Sequence, residues 1–175
     1  LRVKTVEAFA GIAEQLDGRV KTLHPKIHAG ILARRDDPAH LKAVGEDGLI
    51  DLVVVNLYPF EQAARRPGVS VSELVEQIDV GGVALLRAAA KNFAHVAVVC
   101  RPAQYPALAE ALRQGRGQVP DAMARELAVS AFHLTSAYDA GISMSLASSG
   151  GASHDVESLT MRKRQGLRYG ENPHQ

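Results

Sequence analysis

Ten residues, RVKTLHPKIH from Arg19 to His28, bring together Arg19, Lys21, His24, Lys26 and His28, with Pro25 in their midst. Basic runs usually lie on solvated faces. This one is interleaved with Val20, Leu23 and Ile27, which predicts cations pinned to a core, as an anion site requires. His24 and His28 are four apart and could be two ligands on one helical face. Pro25 between them, and no nearby cysteine or placed carboxylate, argue against a zinc site, so no metal is expected. The His24-Pro25 pair reads instead as a turn that presents Lys21 and Thr22 on one side.

Three further stretches could carry chemistry. Asn56-Leu57-Tyr58-Pro59 follows an apolar run and supplies an amide, a phenol and a turn where open α/β sheets hold their ligands. Alternatively, Pro59 merely ends a strand and Tyr58 packs on the surface. Asp79-Val80-Gly81-Gly82 precedes a helical stretch. Asp79 there is either a helix cap or part of a site in which two glycines let a ligand approach the backbone N–H groups of a helix start. Lys91 follows Asp79 by twelve residues, a separation that tells against direct pairing along a regular helix, and Lys91-Asn92 suits a helix C-terminus. Cys100, at the end of a second apolar run, reads as a small buried residue. No Walker loop or GxGxxG fingerprint is present. These residues alone point to a phosphorylated or otherwise anionic small ligand.

The elements that must position them are legible. Leu52 to Val55 and Val96 to Val99 are continuous β-branched runs, expected as parallel strands covered on both faces. Asp37-Pro38 should open a helix through Ala43, and Ser70 with Glu73 fits a capping box for a helix around Leu74 to Ile78. Further helices are expected over Val83 to Lys91, from Pro102 to near Gly115, and over a long stretch from about Pro120 to Leu146. Strands alternating with helices predict an α/β fold, a parallel sheet flanked by helices. Residues 1–147 should form one domain. The Ser/Gly-rich stretch opening at Ser148 marks a linker over 148–166, and 167–175, LRYGENPHQ, has no room to fold alone.

Composition bounds the partners. With 175 residues and 46% hydrophobic content, the chain can bury a core as one domain. Twenty Lys+Arg against nineteen Asp+Glu give a net charge of +1, far from the basic excess of a nucleic-acid binder, so no nucleic acid is expected. No apolar run approaches the roughly 20 residues that span a bilayer. A single cysteine suits a reducing cytoplasm.

Taken together, LDGRVKTLHPKIHAGILARR, DLVVVNLYPF, IDVGGVALLRAAAKN and LRYGENPHQ closely resemble the bifunctional purine-biosynthesis family that joins an AICAR transformylase to an IMP cyclohydrolase. The resemblance runs over nearly the whole chain, with the four motifs in the family's order. It implies a methylglyoxal synthase-like fold and closure of formyl-AICAR to IMP with loss of water and no cofactor. 10-Formyltetrahydrofolate is the implied co-substrate of the transformylase part, and a homodimer the implied assembly. It further implies Lys21, Tyr58, Asp79 and Lys91 as catalytic, and Arg19, Thr22, Asn56, Val80, Gly81 and Gly82 as substrate-binding. Arg168 and Tyr169 match a pair that contacts substrate in the transformylase site. Family members begin with a strand and a Ser/Thr/Gly-rich phosphate loop that this sequence starts after, so an incomplete phosphate site is expected. A methylglyoxal synthase, or a nucleotide-sensing module of the same fold, are the competing readings.

Overall fold

The computed structural model describes residues 3–150 and positions 155, 158, 160, 161, 165 and 166. In chain order its elements are α1 (Val6–Ala10), α2 (Pro25–Leu32), α3 (Pro38–Val44), β1 (Leu52–Val54), α4 (Phe60–Ala64), α5 (Val71–Val75), α6 (Gly81–Lys91), β2 (Ala97–Val99), α7 (Tyr105–Gln114) and α8 (Asp121–Gly150). Single 3₁₀ turns precede β1 and α7.

β1 and β2 are parallel, with Leu52 opposite Ala97, Val53 opposite Val98 and Val54 opposite Val99. A parallel pair cannot be closed by a hairpin, and α4, α5 and α6 make the crossover. α6 packs on both strands, α2 and α8 pack on α6, and α8 also covers β2. The expected α/β class is therefore present, with a two-stranded parallel sheet among the described residues. The expectation of strands covered on both faces holds for β2, whose three residues are all buried. It fails for β1: Val53 is buried, but Leu52 and Val54 on the other face are 38% and 48% exposed. An unbroken apolar run reports hydrophobicity, not how many layers cover it.

The main core gathers Ile27, Ile31, Val53, Leu86, Val98, Val99 and Leu127 around the alanines of α6 and α8. Ala88, Ala89 and Ala90 on α6 and Ala128 and Ala131 on α8 are buried, and their small side chains let the two helices approach closely. A second cluster joins Phe60 and Ala63 of α4, Leu74 of α5 and Tyr138 of α8. There the Phe60 and Tyr138 rings meet edge to face at 6.1 Å.

Local chemistry sets the helix ends. Asp37 accepts from the Ala39 and His40 amides, and the Ala39 bond is the main reason its carboxyl is held below its ordinary range. Ser70 and Glu73 form the reciprocal capping box, and the Ser70 amide and then its hydroxyl likewise hold the Glu73 carboxyl down. That helix opens at Val71, directly after the expected Ser70 cap, and ends at Val75, three residues short of the expected Ile78. At the opposite end of the sheet, the Asn92 side chain donates to the Ile31 and Ala33 carbonyls at 2.7 and 3.0 Å and ties the end of α6 to the end of α2. Arg35 donates to the Ala33 and Ile50 carbonyls beside it.

α8 continues through Gly150, so the expected linker opens inside a helix: the Ser148 hydroxyl donates to the Met144 carbonyl at 2.8 Å. A Ser/Gly-rich composition marks a weak helix, yet hydroxyls that bond back one turn can extend it. Most of 151–166 and all of 167–175, with Arg168 and Tyr169, lie outside the described residues.

Two outcomes follow from these ties. Asn92→Ala leaves the carbonyl of buried Ile31 without its partner and should cost roughly 1–3 kcal/mol, read as a fall of several degrees in Tm with the two-state transition retained. The Asp37 and Glu73 caps, whose folded carboxyls titrate below their unfolded values, stabilise the fold above the unfolded carboxylate range. They should weaken as pH drops through the lower folded values, so helix content followed by circular dichroism should decline there and not between pH 6 and 8.

Candidate active site

A tight reversal delivers the basic segment. Gln15 and Val20 exchange backbone hydrogen bonds of 2.9 and 3.1 Å, and the chain between them turns through Leu16, Asp17 and Gly18, with φ of 53°, 54° and 88°. Glycine takes such values freely, whereas a leucine does so at a cost. Val20 is half-buried and Ile27 buried, as expected of residues that pin the segment, but Leu23 is 38% exposed and holds little. His24 caps α2, its Nδ1 accepting from the Lys26 amide at 3.2 Å, so its role is structural as expected, but Pro25 opens a helix where a turn was expected.

The two expected cations are already engaged. Arg19 lies 3.0 Å from Glu76, and Lys21 lies 3.3 Å from Glu14, all four side chains more than half exposed. Neighbouring Thr22 touches the first turn of α6: a Cβ placed on Gly81 would sit 2.6 Å from the Thr22 hydroxyl. Gly82 is hemmed in likewise, because a Cβ there would overlap the Asp79 carboxylate. Asp79 Oδ1 accepts from the Gly82 amide at 2.6 Å and so caps the helix, a task that Val80, at the formal cap position and 59% exposed, cannot perform. The glycines thus admit close approach, but the groups that approach are the chain's own Thr22 and Asp79.

Asp79 has a second tie. Its amide donates to the Tyr138 hydroxyl at 2.8 Å, and that hydroxyl donates to the Gln77 carbonyl at 3.1 Å. Burial, ahead of the nearby carboxylates, pushes the Tyr138 phenol above its ordinary pKa, so it is protonated throughout the neutral range. The Tyr138 ring also lines a cavity of about 1110 Å³ at the carboxyl ends of the strands, together with Asn56, Tyr58, Arg101 and Ser130. Asn56 donates to the Tyr105 hydroxyl at 2.7 Å, and Tyr58 is 58% exposed. Below them Gln104 closes the end of β2, accepting from the Cys100 and Arg101 amides at 3.0 Å and donating to Ser130 at 3.0 Å. Cys100 itself is buried, as expected.

The structure therefore brings Thr22 against Gly81, beside Asp79 and Gly82, with Arg19 and Lys21 nearby in sequence but paired with Glu76 and Glu14, and sets Asn56 and Tyr58 on a cavity wall that also includes Tyr138, the partner of the Asp79 amide. Lys91 is placed elsewhere. It ends α6, and at about 1.5 Å per residue the helix separates it from the Asp79 end by roughly 16 Å. Its side chain is exposed and makes no ion pair or hydrogen bond among the described residues. Among those residues no group of three or more His, Cys, Asp or Glu side chains is placed to hold a metal, and no helix is long and apolar enough to cross a membrane. Sequence reasoning missed Tyr138, Glu76 and Tyr105. Tyr138 falls within the long helix expected from about Pro120 to Leu146, where its spacing reads as core, and nothing local marks the other two.

Known proteins are similar over the whole chain. Residues 1–84 match the MGS-like domain and residues 89–175 the AICARFT/IMPCHase bienzyme family. Proteins named bifunctional purine biosynthesis protein PurH are 51% identical in Synechocystis sp., over 99% of this chain and 34% of the relative. In Chloroflexus aurantiacus the figures are 54%, 97% and 33%. The chain thus spans about a third of the length of these relatives. The crystal structure of ForH superposes with a TM-score of 0.75 at 38% identity, covering 85% of this chain and 77% of that one.

Gly82→Ala should separate geometry from stability. The added methyl displaces the Asp79 carboxylate and costs the cap about 1 kcal/mol, while alanine's better helix propensity returns a similar amount. Tm should therefore shift by only a few degrees, while the amide at position 82 exchanges its hydrogen markedly faster by NMR.

Proposed function

The chain belongs to the family of bifunctional purine biosynthesis proteins, and on that premise we propose that it carries the IMP cyclohydrolase activity, closing formyl-AICAR to IMP with loss of water. The observation that carries this reading is the contact of the Lys21-Thr22 segment with the Asp79–Gly82 helix start, in a chain similar to such proteins throughout. The match of residues 89–175 to the bienzyme family favours it over a methylglyoxal synthase or a nucleotide-sensing module.

Ring closure joins the carboxamide nitrogen to the formyl carbon and drives negative charge onto the formyl oxygen. That oxygen leaves as water, taking one hydrogen from the carboxamide nitrogen and one from the formamide nitrogen. A cation near the developing charge lowers the barrier more than it tightens binding, which is the role assigned to Lys21. Asp79, with one oxygen held by the Gly82 amide and the other without a hydrogen bond among the described residues, is suited to orient the attacking nitrogen and relay its proton. Arg19 and Thr22 serve the ribose phosphate, and Asn56 and Tyr58 the cavity wall. Lys91 enters from the resemblance alone, since its place in the fold does not support contact with Asp79. No cofactor is needed for the cyclisation as written. A transformylase activity using 10-formyltetrahydrofolate, with Arg168 and Tyr169 in its site, a homodimeric assembly and a cytoplasmic location complete the proposal.

An absorbance assay of IMP formation from formyl-AICAR by the purified chain tests it. Lys21→Ala should lower kcat by roughly 10²–10³ with KM little changed. A rise in KM alone would make Lys21 a phosphate clamp and remove its part in the chemistry.

A further inference from the structure

We propose that Tyr138 is a positioning residue for Asp79, its hydroxyl fixing the backbone beneath the carboxylate in the orientation the cyclisation uses. This rests on the assignment of Asp79 in the preceding section.

The linker between α5 and α6 has few other holds. Gln77 and Ile78 donate back to Leu74 and Val75, leaving the Gln77 carbonyl and the Asp79 amide facing α8. One hydroxyl meets both, accepting from Asp79 at 2.8 Å and donating to Gln77 at 3.1 Å. A group that donates on one side and accepts on the other fixes the polarity of the bridge. The ring that carries the hydroxyl is 8% exposed and held edge-on by Phe60. The support is therefore stiff where the supported residue is partly open. Asp79 then has two attachments, its amide to Tyr138 and Oδ1 to the Gly82 amide. One attachment on the backbone and one on the short side chain define where the second carboxylate oxygen points, and misplacement by about 1 Å is enough to cost on the order of 10²-fold in a positioned reaction. The phenol, protonated well above neutrality, keeps its donor available over the whole working range.

Tyr138→Phe keeps the ring and its packing and removes only the bridge. In the purified chain, kcat for IMP formation should fall about tenfold, the equivalent of one lost hydrogen bond, with KM within about twofold. The Asp79 amide should lose protection in hydrogen exchange. Leu74→Val, which loosens the same cluster without touching the hydroxyl, should lower Tm to a similar degree and leave kcat within about twofold. In an Asp79→Asn background, itself nearly inactive, adding Tyr138→Phe should change the residual rate less than twofold, because residues acting as one unit are not additive. If Asp79→Asn abolishes turnover while Tyr138→Phe leaves kcat or Asp79 exchange unchanged, Tyr138 is structural only and the proposal is overturned. If Asp79→Asn turns over normally, or the unsubstituted chain does not cyclise the substrate, the assignment of Asp79 fails first and takes that of Tyr138 with it.

Discussion

The first turn of α6 is approached so closely that a side chain at either of two consecutive residues there would displace a neighbour. Thr22 closes on Gly81 from one direction and the Asp79 carboxylate on Gly82 from another. From this contact the rest of the sheet's carboxyl end takes its arrangement. The basic segment is held at the helix because Thr22 fits against Gly81, and Asp79 faces the helix because Gly82 leaves room for it. The formal cap, Val80, has no side chain able to serve the first amides. The helix start is thus closed by the preceding acid, whose negative charge is favoured at the positive end of the helix dipole.

A crossover connection is what makes so small a contact consequential. α6 runs back between two parallel strands, so its N-terminus lies at their carboxyl ends, the same end at which Asn56 and Tyr58 leave β1 and Arg101 leaves β2. Its C-terminus is tied down at the other end of the sheet by Asn92, which donates to two carbonyls at the end of α2. α2 begins in turn at the His24 cap, two residues after Thr22. α2 and α6 are therefore joined at both ends, by a steric fit above and hydrogen bonds below, and the segment before α2 cannot shift far relative to Asp79.

Much of this was legible in the sequence, and the shortfalls have physical causes. Both strands, the Asp37 and Ser70 caps and the end of α6 at Lys91 could be read locally, because each depends on residues close together in the sequence. The open face of β1 could not, since coverage depends on elements far along the chain. The glycines at 81 and 82 were legible as a place of close approach but not as to what approaches; Thr22 is remote in sequence, and the acid three residues back from Gly82 could cap a helix or face a ligand with the same spacing. Tyr138 lies 59 residues from the amide it accepts from. On a helix its spacing reads as core, and its ring is indeed core. Only the final oxygen departs from that role. The resemblance placed Lys91 with Asp79, whereas the regular course of α6 holds them apart.

The site divides into a stiff half and an adjustable half. Asp79 is held by a buried phenol and a helix amide, and moving it would strand polar groups with little access to water, at a cost of about 1–3 kcal/mol for each. Arg19 and Lys21 are held by exposed carboxylates, Glu76 and Glu14. Exposed pairs of this kind contribute about 0–1 kcal/mol, so either cation can exchange its partner for another anion at little cost. An anion arriving at either cation would release that cation's carboxylate into water, where it is readily solvated, and would leave the Asp79 turn as it was. On the proposed reading, the acid that must hold a fixed direction sits on the rigid side, and the cations sit on long side chains that can follow a ligand inward.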